Sequence, residues 1–362
     1  MGKAAALGRV FGGGCRSLHI FLWNHPGDTS EFTKSMLLEA TRAFHETIAP
    51  PGLEELHILG SLMPEKMLLE ICGANPRMVE LSINSIFPLS TGVLASVGLA
   101  CPLLTTVDLS TGGLSEAEAY AMHFPRLETL RFGVRGEGTQ SNRYIPAGLN
   151  LIEESVARCV QATRCDFDDC VVTPALAECV LRSSLPSRVT YLNLYCSQVT
   201  SKTVLAFAAS FQNLTSLLLP PTFAGPFDSD AYEYGDPDFY EAIWRARPTI
   251  TEMDVSYVDG ADIEVVCRLF PLKNLTIMHH AFEYGSTTLV DTILASPCRD
   301  TLVEVGISCT SASELLRLVT TLKNLKNLID SDMVEPDEPE PDSEKIFERI
   351  DHIMASRGGA FY

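Results

Sequence analysis

Residues Leu127 to Phe132 read LETLRF: a leucine, two residues, a second leucine at 130, one residue, then an apolar side chain. The same register returns around a central apolar residue at Leu56, Leu81, Val107, Leu130, Cys165, Leu192, Leu217, Met253, Leu275, Val305 and Leu328. Successive central residues lie 25, 26, 23, 35, 27, 25, 36, 22, 30 and 23 positions apart, so eight of ten intervals fall between 22 and 30. A short apolar register at such a period marks an array in which each repeat buries its apolar residues against its neighbours.

Between the registers lie stretches with apolar residues at helical spacing, such as Pro64 to Cys72, Thr200 to Phe211 and Ala261 to Phe270. Each repeat is therefore expected to be a strand followed by a helix, which connects parallel strands by crossovers. The fold predicted is an α/β leucine-rich-repeat solenoid, a horseshoe with a parallel β-sheet on its concave face and helices on its convex face. The expected organisation is an N-terminal segment and capping helix over 1–52, the solenoid over 53–329, an acidic Pro-containing linker over 330–344, and an amphipathic helix and tail over 345–362. Leu18 and Ile20 suggest a divergent strand ahead of a helix over Ser30 to Ile48. Phe347, Ile350, Ile353 and Met354 share one face of the last helix, which either caps the final repeat or docks on a partner.

The segments CPLLTTVDLS (Cys101 to Ser110) and YLNLYCSQVTSKTVLAFAASFQNLTSL (Tyr191 to Leu217) resemble the cysteine-containing, ribonuclease-inhibitor-like leucine-rich repeats of F-box substrate receptors. The resemblance covers roughly residues 53 to 330. It implies a side chain that hydrogen-bonds the turn three residues after the apolar residue ending each strand; Ser61, Cys170 and Ser197 hold such positions. It also implies protein binding rather than catalysis.

A solenoid accommodates 362 residues without a single large core, because each repeat meets only its neighbours. No apolar run approaches the roughly 18 residues of a membrane span. Eleven cysteines, an odd number with no CxxC pair, point to free thiols in a reducing compartment. The two Asn-Leu-Thr sequons at Asn213 and Asn274 fall where the repeat itself supplies Asn-Leu. A cytosolic or nuclear location is expected; Lys3, Arg9 and Arg16 without an acid before Asp28 leave organelle import as the alternative. The net charge is -19, and Asp330 to Glu344 alone carries eight acids and no base. Nucleic acid and anionic membranes require clustered Lys and Arg, so a protein partner is expected, with a basic surface to match this charge.

The two long intervals contain insertions between strand and helix, Gly133 to Asn150 and Pro220 to Tyr240. Strand-to-helix loops share one rim of a solenoid, so both insertions are expected on that rim, and the aromatics Phe223, Phe227, Tyr232 and Tyr234 are candidate partner contacts. The alternative is that these aromatics fold back as a local core. On each strand the residues beside the central one are expected on the concave face, which nominates Asp108, Arg131, Asp166, Asp168, Tyr191, Asn193, Tyr195 and Asp254 for partner binding.

No catalytic, cofactor or metal site is nominated. Cys165, Asp166, Asp168, Asp169 and Cys170 are the densest ligand cluster, but strand alternation sends Cys165 and Asp166 to opposite faces. Two alternatives to a plain scaffold stay open. The stretch Leu62 to Ile71 (LMPEKMLLEI) resembles the opening of an F-box, which would make the chain a ubiquitin-ligase receptor subunit. Leucine-rich repeats with an acidic tail also resemble Ran GTPase-activating proteins, in which case Arg135 or Arg143 would serve catalysis on a bound GTPase.

Overall fold

The computed structural model describes residues 16–21, 52–61, 65–85, 89–109, 120–132, 149–168, 170–195, 197–220, 237–255, 260–277, 289–307, 311–330 and 343–361. The chain forms two compact units, unit 1 being Met1–Val171 with Glu178–Leu185 and unit 2 being Val172–Ala177 with Pro186–Tyr362.

In unit 1, β1 (Ser17–Phe21), β2 (Glu55–Ser61), β3 (Glu80–Ser85) and β4 (Thr106–Leu109) pair in parallel in chain order. Helices α1 (Glu65–Ala74) and α2 (Thr91–Ala100) make the crossovers from β2 to β3 and from β3 to β4. A second parallel pair follows, β5 (Thr129–Arg131) with β6 (Arg164–Asp166), joined through α3 (Leu149–Arg158). The division of the chain passes through α4 (Pro174–Arg182). The segment resembling an F-box supplies α1, the crossover helix between paired strands.

Unit 2 repeats the scheme. β7 (Tyr191–Asn193), β8 (Ser216–Leu218), β9 (Glu252–Asp254), β10 (Asn274–Ile277), β11 (Glu304–Ile307), β12 (Asn327–Asp330) and β13 (Ala360–Phe361) pair in parallel, each with the next. The crossovers are α5 (Ser201–Ser210), α6 (Pro237–Ala246), α7 (Gly260–Leu269), α8 (Leu289–Ala295), α9 (Ala312–Thr321) and α10 (Ser343–Ser356). These strand–helix repeats, parallel and in register, are leucine-rich repeats.

The register coincides with the central residues of the sequence. Leu18, Leu56, Leu81 and Val107 lie opposite one another in succession, Leu130 opposes Cys165, and Leu192, Leu217, Met253, Leu275, Val305, Leu328 and Phe361 form one column in unit 2. Three residues earlier, Leu53, Met78, Leu104, Leu127, Ala162, Val189, Leu214, Ile250, Leu272, Leu302 and Leu325 are all buried. Each buried leucine contributes about 2 kcal/mol relative to exposure, and it reaches that value only when the next repeat covers it.

Hydrogen bonds interlock the repeats on the helix side. Asn75, fully buried after α1, accepts from Gly52 N and Leu53 N at 2.9 Å each and donates to Ile71 O at 2.9 Å. Arg247, after α6, donates to Ala208 O, Ala209 O and Gln212 O at the end of α5, and Arg357, after α10, donates to Val319 O and Leu322 O at the end of α9. These side chains satisfy carbonyls that a helix C-terminus leaves without intrahelical donors. Ser197 Oγ donates to Leu194 O at 2.6 Å, the turn bond that the resemblance implied. Asn213 Nδ2 donates to Ser187 O at 2.7 Å, so the asparagine of that sequon has a place in the repeat.

Phe239 and Tyr240, which the sequence reading places in the second insertion, are instead buried in the first turns of α6. Residues 133–148 and 221–236 of the insertions, the helix expected over Ser30 to Ile48, the arginines Arg135 and Arg143, and most of the acidic stretch lie outside the described residues.

Replacing Asn75 by Ala should orphan the buried Leu53 N–H, the partly buried Gly52 N–H and one carbonyl, lowering stability by about 2 kcal/mol in chemical denaturation. At Gly359 an added Cβ would sit 1.9 Å from Lys326 O, so Gly359→Ala should release β13 and abolish hydrogen-exchange protection of the Ala360 amide, which donates to that same oxygen at 2.8 Å.

Candidate functional site

Alternation along each strand fixes what the sheet presents. On β4, β5, β6, β7, β9 and β10 the central residue is buried and both of its neighbours remain accessible. The accessible residues line the sheet face remote from the helices, and their spacing is set by the backbone, about 4.8 Å between strands.

In unit 1 this face holds a charge network. Arg131 on β5 reaches Asp108 Oδ2 with Nη1 at 3.6 Å and Asp166 Oδ2 with Nε at 3.2 Å. Asp166 stands opposite Arg131 in the β5–β6 register, while Asp108 belongs to β4. Ser82, opposite Asp108 on β3, donates its hydroxyl to Asp108 Oδ2 at 3.3 Å. Asp166 Oδ1 accepts from Asp168 N at 3.0 Å, closing an Asx turn at the end of β6. Farther along, His57 Nε2 lies 3.4 Å from Glu80 Oε1. One guanidinium thus serves two carboxylates, and the set retains negative charge. Asp166 is only 13% exposed and Asp108 20%, so the pairing is screened less than an exposed ion pair.

Unit 2 presents two rows. Tyr191, Ser216, Glu252, Asn274, Glu304, Asn327 and Ala360 stand side by side across β7 to β13. Asn193, Leu218, Asp254, Thr276, Gly306 and Ile329 form the next row across β7 to β12. Neither row contains Lys or Arg. Asn327 Nδ2 donates to Glu304 Oε2 at 2.9 Å, and Asn193 Oδ1 accepts from Tyr195 N at 2.8 Å in an Asx turn of the kind made by Asp166 in unit 1.

The helices carry the opposite arrangement. Glu154 with Arg158, Glu178 with Arg182 and Glu241 with Arg245 pair one turn apart on α3, α4 and α6, so those faces neutralise themselves. Arg317 on α9 pairs with Asp291 on α8.

Of the nominated residues, the structure brings Asp108, Arg131 and Asp166 into one network with Asp168 in its terminal turn, and places Tyr191, Asn193 and Asp254 on the unit 2 face with Tyr195 in the turn after β7. Phe223, Phe227, Tyr232 and Tyr234 lie outside the described residues. The sequence reading passes over Ser82, Glu304 and Asn327. Each lies one position from a central residue, the offset that finds Asp108 and Asp254, so the same rule extended to every strand would have found them. Among the described residues no three His, Cys, Asp or Glu side chains converge as metal ligands, and no helix is long and apolar enough to cross a membrane.

No family model matches the chain, and no curated protein matches it. Among solved structures the chain is similar to the Rad7 and Elc1 complex of yeast, at 11% identity over 93% of this chain and 89% of that one, with a TM-score of 0.48. It is similar to an internalin, inlF, from Listeria monocytogenes, at 11% identity over 84% and 82% of the two chains, with a TM-score of 0.37. A third likeness is to TLR13 in complex with ssRNA13, at 15% identity over 78% of this chain but 33% of that one, with a TM-score of 0.34. At these identities and scores the repeat assignment rests on the strand registers above.

Asp166 has two separable roles, charge partner and turn acceptor. Asp166→Asn keeps the turn acceptor, as Asn193 does one repeat later, and should cost at most about 1 kcal/mol, whereas Asp166→Ala loses both roles and should cost about 2 kcal/mol in urea unfolding.

Proposed function

We propose that the chain is a non-catalytic scaffold whose sheet faces bind a protein partner bearing a basic surface. The observation that supports this best is the pair of rows in unit 2, where Glu252, Asp254 and Glu304 stand among Tyr191, Asn193, Asn274, Thr276 and Asn327 with no cation in either row. A helix face would offer an approaching chain charges already paired; these two rows offer carboxylates held at fixed spacing on a rigid sheet with no Lys or Arg among them. Lysines and arginines of a partner would be drawn to it at long range and would hydrogen-bond to it in contact. Tyr191 adds aromatic contact area at small entropic cost. In unit 1 the corresponding contact is the Asp108–Arg131–Asp166 network, whose residual charge has the same sign.

The proposal includes Asp168, Tyr195 and the insertion aromatics Phe223, Phe227, Tyr232 and Tyr234 as further contacts. The cysteine-containing type of repeat is favoured by the turn bond of Ser197 and by the buried thiols after the helices, of which Cys101 and Cys159 are examples. The ubiquitin-ligase receptor reading has weaker support, because the segment it needs as an adaptor-binding motif is occupied as α1 between β2 and β3.

Affinity capture from lysate with mass spectrometry tests the reading. The intact chain is compared with Glu252→Lys, Asp254→Lys, Glu304→Lys in combination, the variant first shown to be folded by circular dichroism and thermal unfolding. We expect a partner with a basic surface to be captured by the intact chain, to be released as salt rises from 50 to 500 mM (a range of about 14 to 4 Å in Debye length), and to be lost from the variant. Retention of every captured protein by the folded variant would refute the assignment to this face.

A further inference from the structure

We propose that the helix-to-strand edge of unit 1 docks an acidic amphipathic helix of a partner protein. Among the described residues the exposed large apolar side chains are Leu99, Val160 and Met122, at 85%, 64% and 37%. All three lie on this edge in consecutive repeats: Leu99 in the last turn of α2, Met122 in the turn before β5 and Val160 in the turn before β6.

The repeat register makes them one strip. Leu99 and Met122 each stand eight residues before a central residue, Val107 and Leu130. Val160 stands five before Cys165, where the preceding repeats have Pro76, Pro102 and Pro125, all exposed. Tertiary contacts hold the turns together. Cys101 donates its thiol to Cys72 O at 3.4 Å, a Cβ added to Gly98 would lie 2.4 Å from His123 O, and Cys159 donates to Phe124 O at 3.7 Å. A proline at such a place stops the helix before it. Val160 has no such task, and Ser187, Gln212, Asp300 and Lys323 take its position in four of the six repeats built on β7 to β12. Nor does α2 supply charge beside the strip: alone among α1 to α10 it has no charged residue, and its Gly92 and Ser96 are exposed along with Leu99.

The charge on this edge selects the occupant. Residues 75–79, 101–105, 122–127 and 159–163 contain Arg77 and Arg126 and no acid, in a chain whose net charge is -19. Both arginines are exposed and stand four residues before a central residue, with the partly exposed Leu103 between them in the same row. Apolar side chains bordered by these two cations fit a partner surface that is apolar in its middle and acidic at its margin. The sheet face of unit 2, by contrast, is suited to a basic partner, so the two surfaces take different ligands.

The backbone and the dimensions select a helix. Each turn is closed by its own bond, Met78 N to Asn75 O, Leu104 N to Cys101 O, Leu127 N to Phe124 O and Ala162 N to Cys159 O. The edge therefore presents no row of strand amides for an added β-strand, and recognition falls to side chains. The apolar area of Leu99, Met122 and Val160 is on the order of 300 Å², well below the roughly 800 Å² per partner of a stable dimer. Repeats stand about 4.8 Å apart at the sheet and about 9 Å apart at the helices, so four turns extend about 20 Å, the length of roughly 14 helical residues.

The test pans a phage-displayed library of helical peptides of about 14 residues on the full-length chain, after depletion on a Leu99→Ser, Met122→Ser, Val160→Ser variant. These side chains are exposed, so the variant is expected to keep the circular dichroism and thermal midpoint of the intact chain. Enriched peptides are expected to carry net negative charge and apolar residues at i, i+3 or i+4, and i+7. A synthetic copy should bind the intact chain in fluorescence anisotropy and lose affinity as salt rises. It should bind the serine variant, and separately an Arg77→Glu, Arg126→Glu variant, at least about tenfold more weakly. Absence of enrichment, enriched peptides that are neutral or basic, or equal binding to both variants would overturn the proposal. So would a dimer in sedimentation equilibrium that the serine variant converts to monomer, which would give the strip to a second copy of the chain.

Discussion

The bond on which this structure depends joins one backbone carbonyl to two N–H groups of the next repeat. Lys273 O accepts from Val303 N at 2.7 Å and from Glu304 N at 3.0 Å; Val303 O then accepts from Lys326 N and Asn327 N, and Thr251 O from Lys273 N and Asn274 N. The same double acceptance occurs at Arg16, Glu54, Val79, Glu128, Thr190 and Thr215. It places each chain entry two residues before the central apolar residue, fixing both the parallel direction and the register. A repeat standing alone would leave that carbonyl and those amides to water and its leucines half-covered. The array is therefore cooperative at each junction rather than within each repeat.

On the helix side the same demand is met by varied chemistry. A helix ends with carbonyls that lack intrahelical donors, and the residue following the next helix reaches back to supply them. Cys101 and Cys159 do so with a thiol, Arg247 and Arg357 with a guanidinium. Arg247 satisfies three carbonyls and tolerates solvent; a thiol satisfies fewer but fits a dry junction. This explains why so many buried cysteines accompany so few buried charges.

Sequence alone revealed the central column because burial at Leu56, Leu81, Leu217 or Leu275 admits only apolar side chains, and an eleven-fold recurrence is difficult to produce otherwise. It revealed the sheet face for the same reason, as the positions flanking that column. The strand β13 escaped it: Ala360 and Phe361 form too short a stretch to register, and the signal lies in Gly358, whose φ of +69° ends α10, and in Gly359, where the backbone crosses Lys326 O. The partnership of Arg131 with two acids was equally hidden, since Asp108 and Asp166 are 23 residues before and 35 after it in sequence. The role of Asn75 has no local sequence signal, because Gly52 N and Leu53 N, which its side chain accepts from, lie 23 and 22 residues earlier.

Packing constraint and surface charge fall on different residues here, and the strand period of two is the cause. The central residue and those two on either side in the strand's alternation face the helices and are constrained by packing; the residues between them face away and contribute little to the fold. Substitution there changes the pattern of charge without changing register, as Glu252, Asn274, Glu304 and Asn327 do along one row. In unit 1 a cation stands on this face, Arg131 between Asp108 and Asp166. Neither row of unit 2 contains Lys or Arg, so the charge those rows carry is negative and is set by residues that packing leaves free to vary.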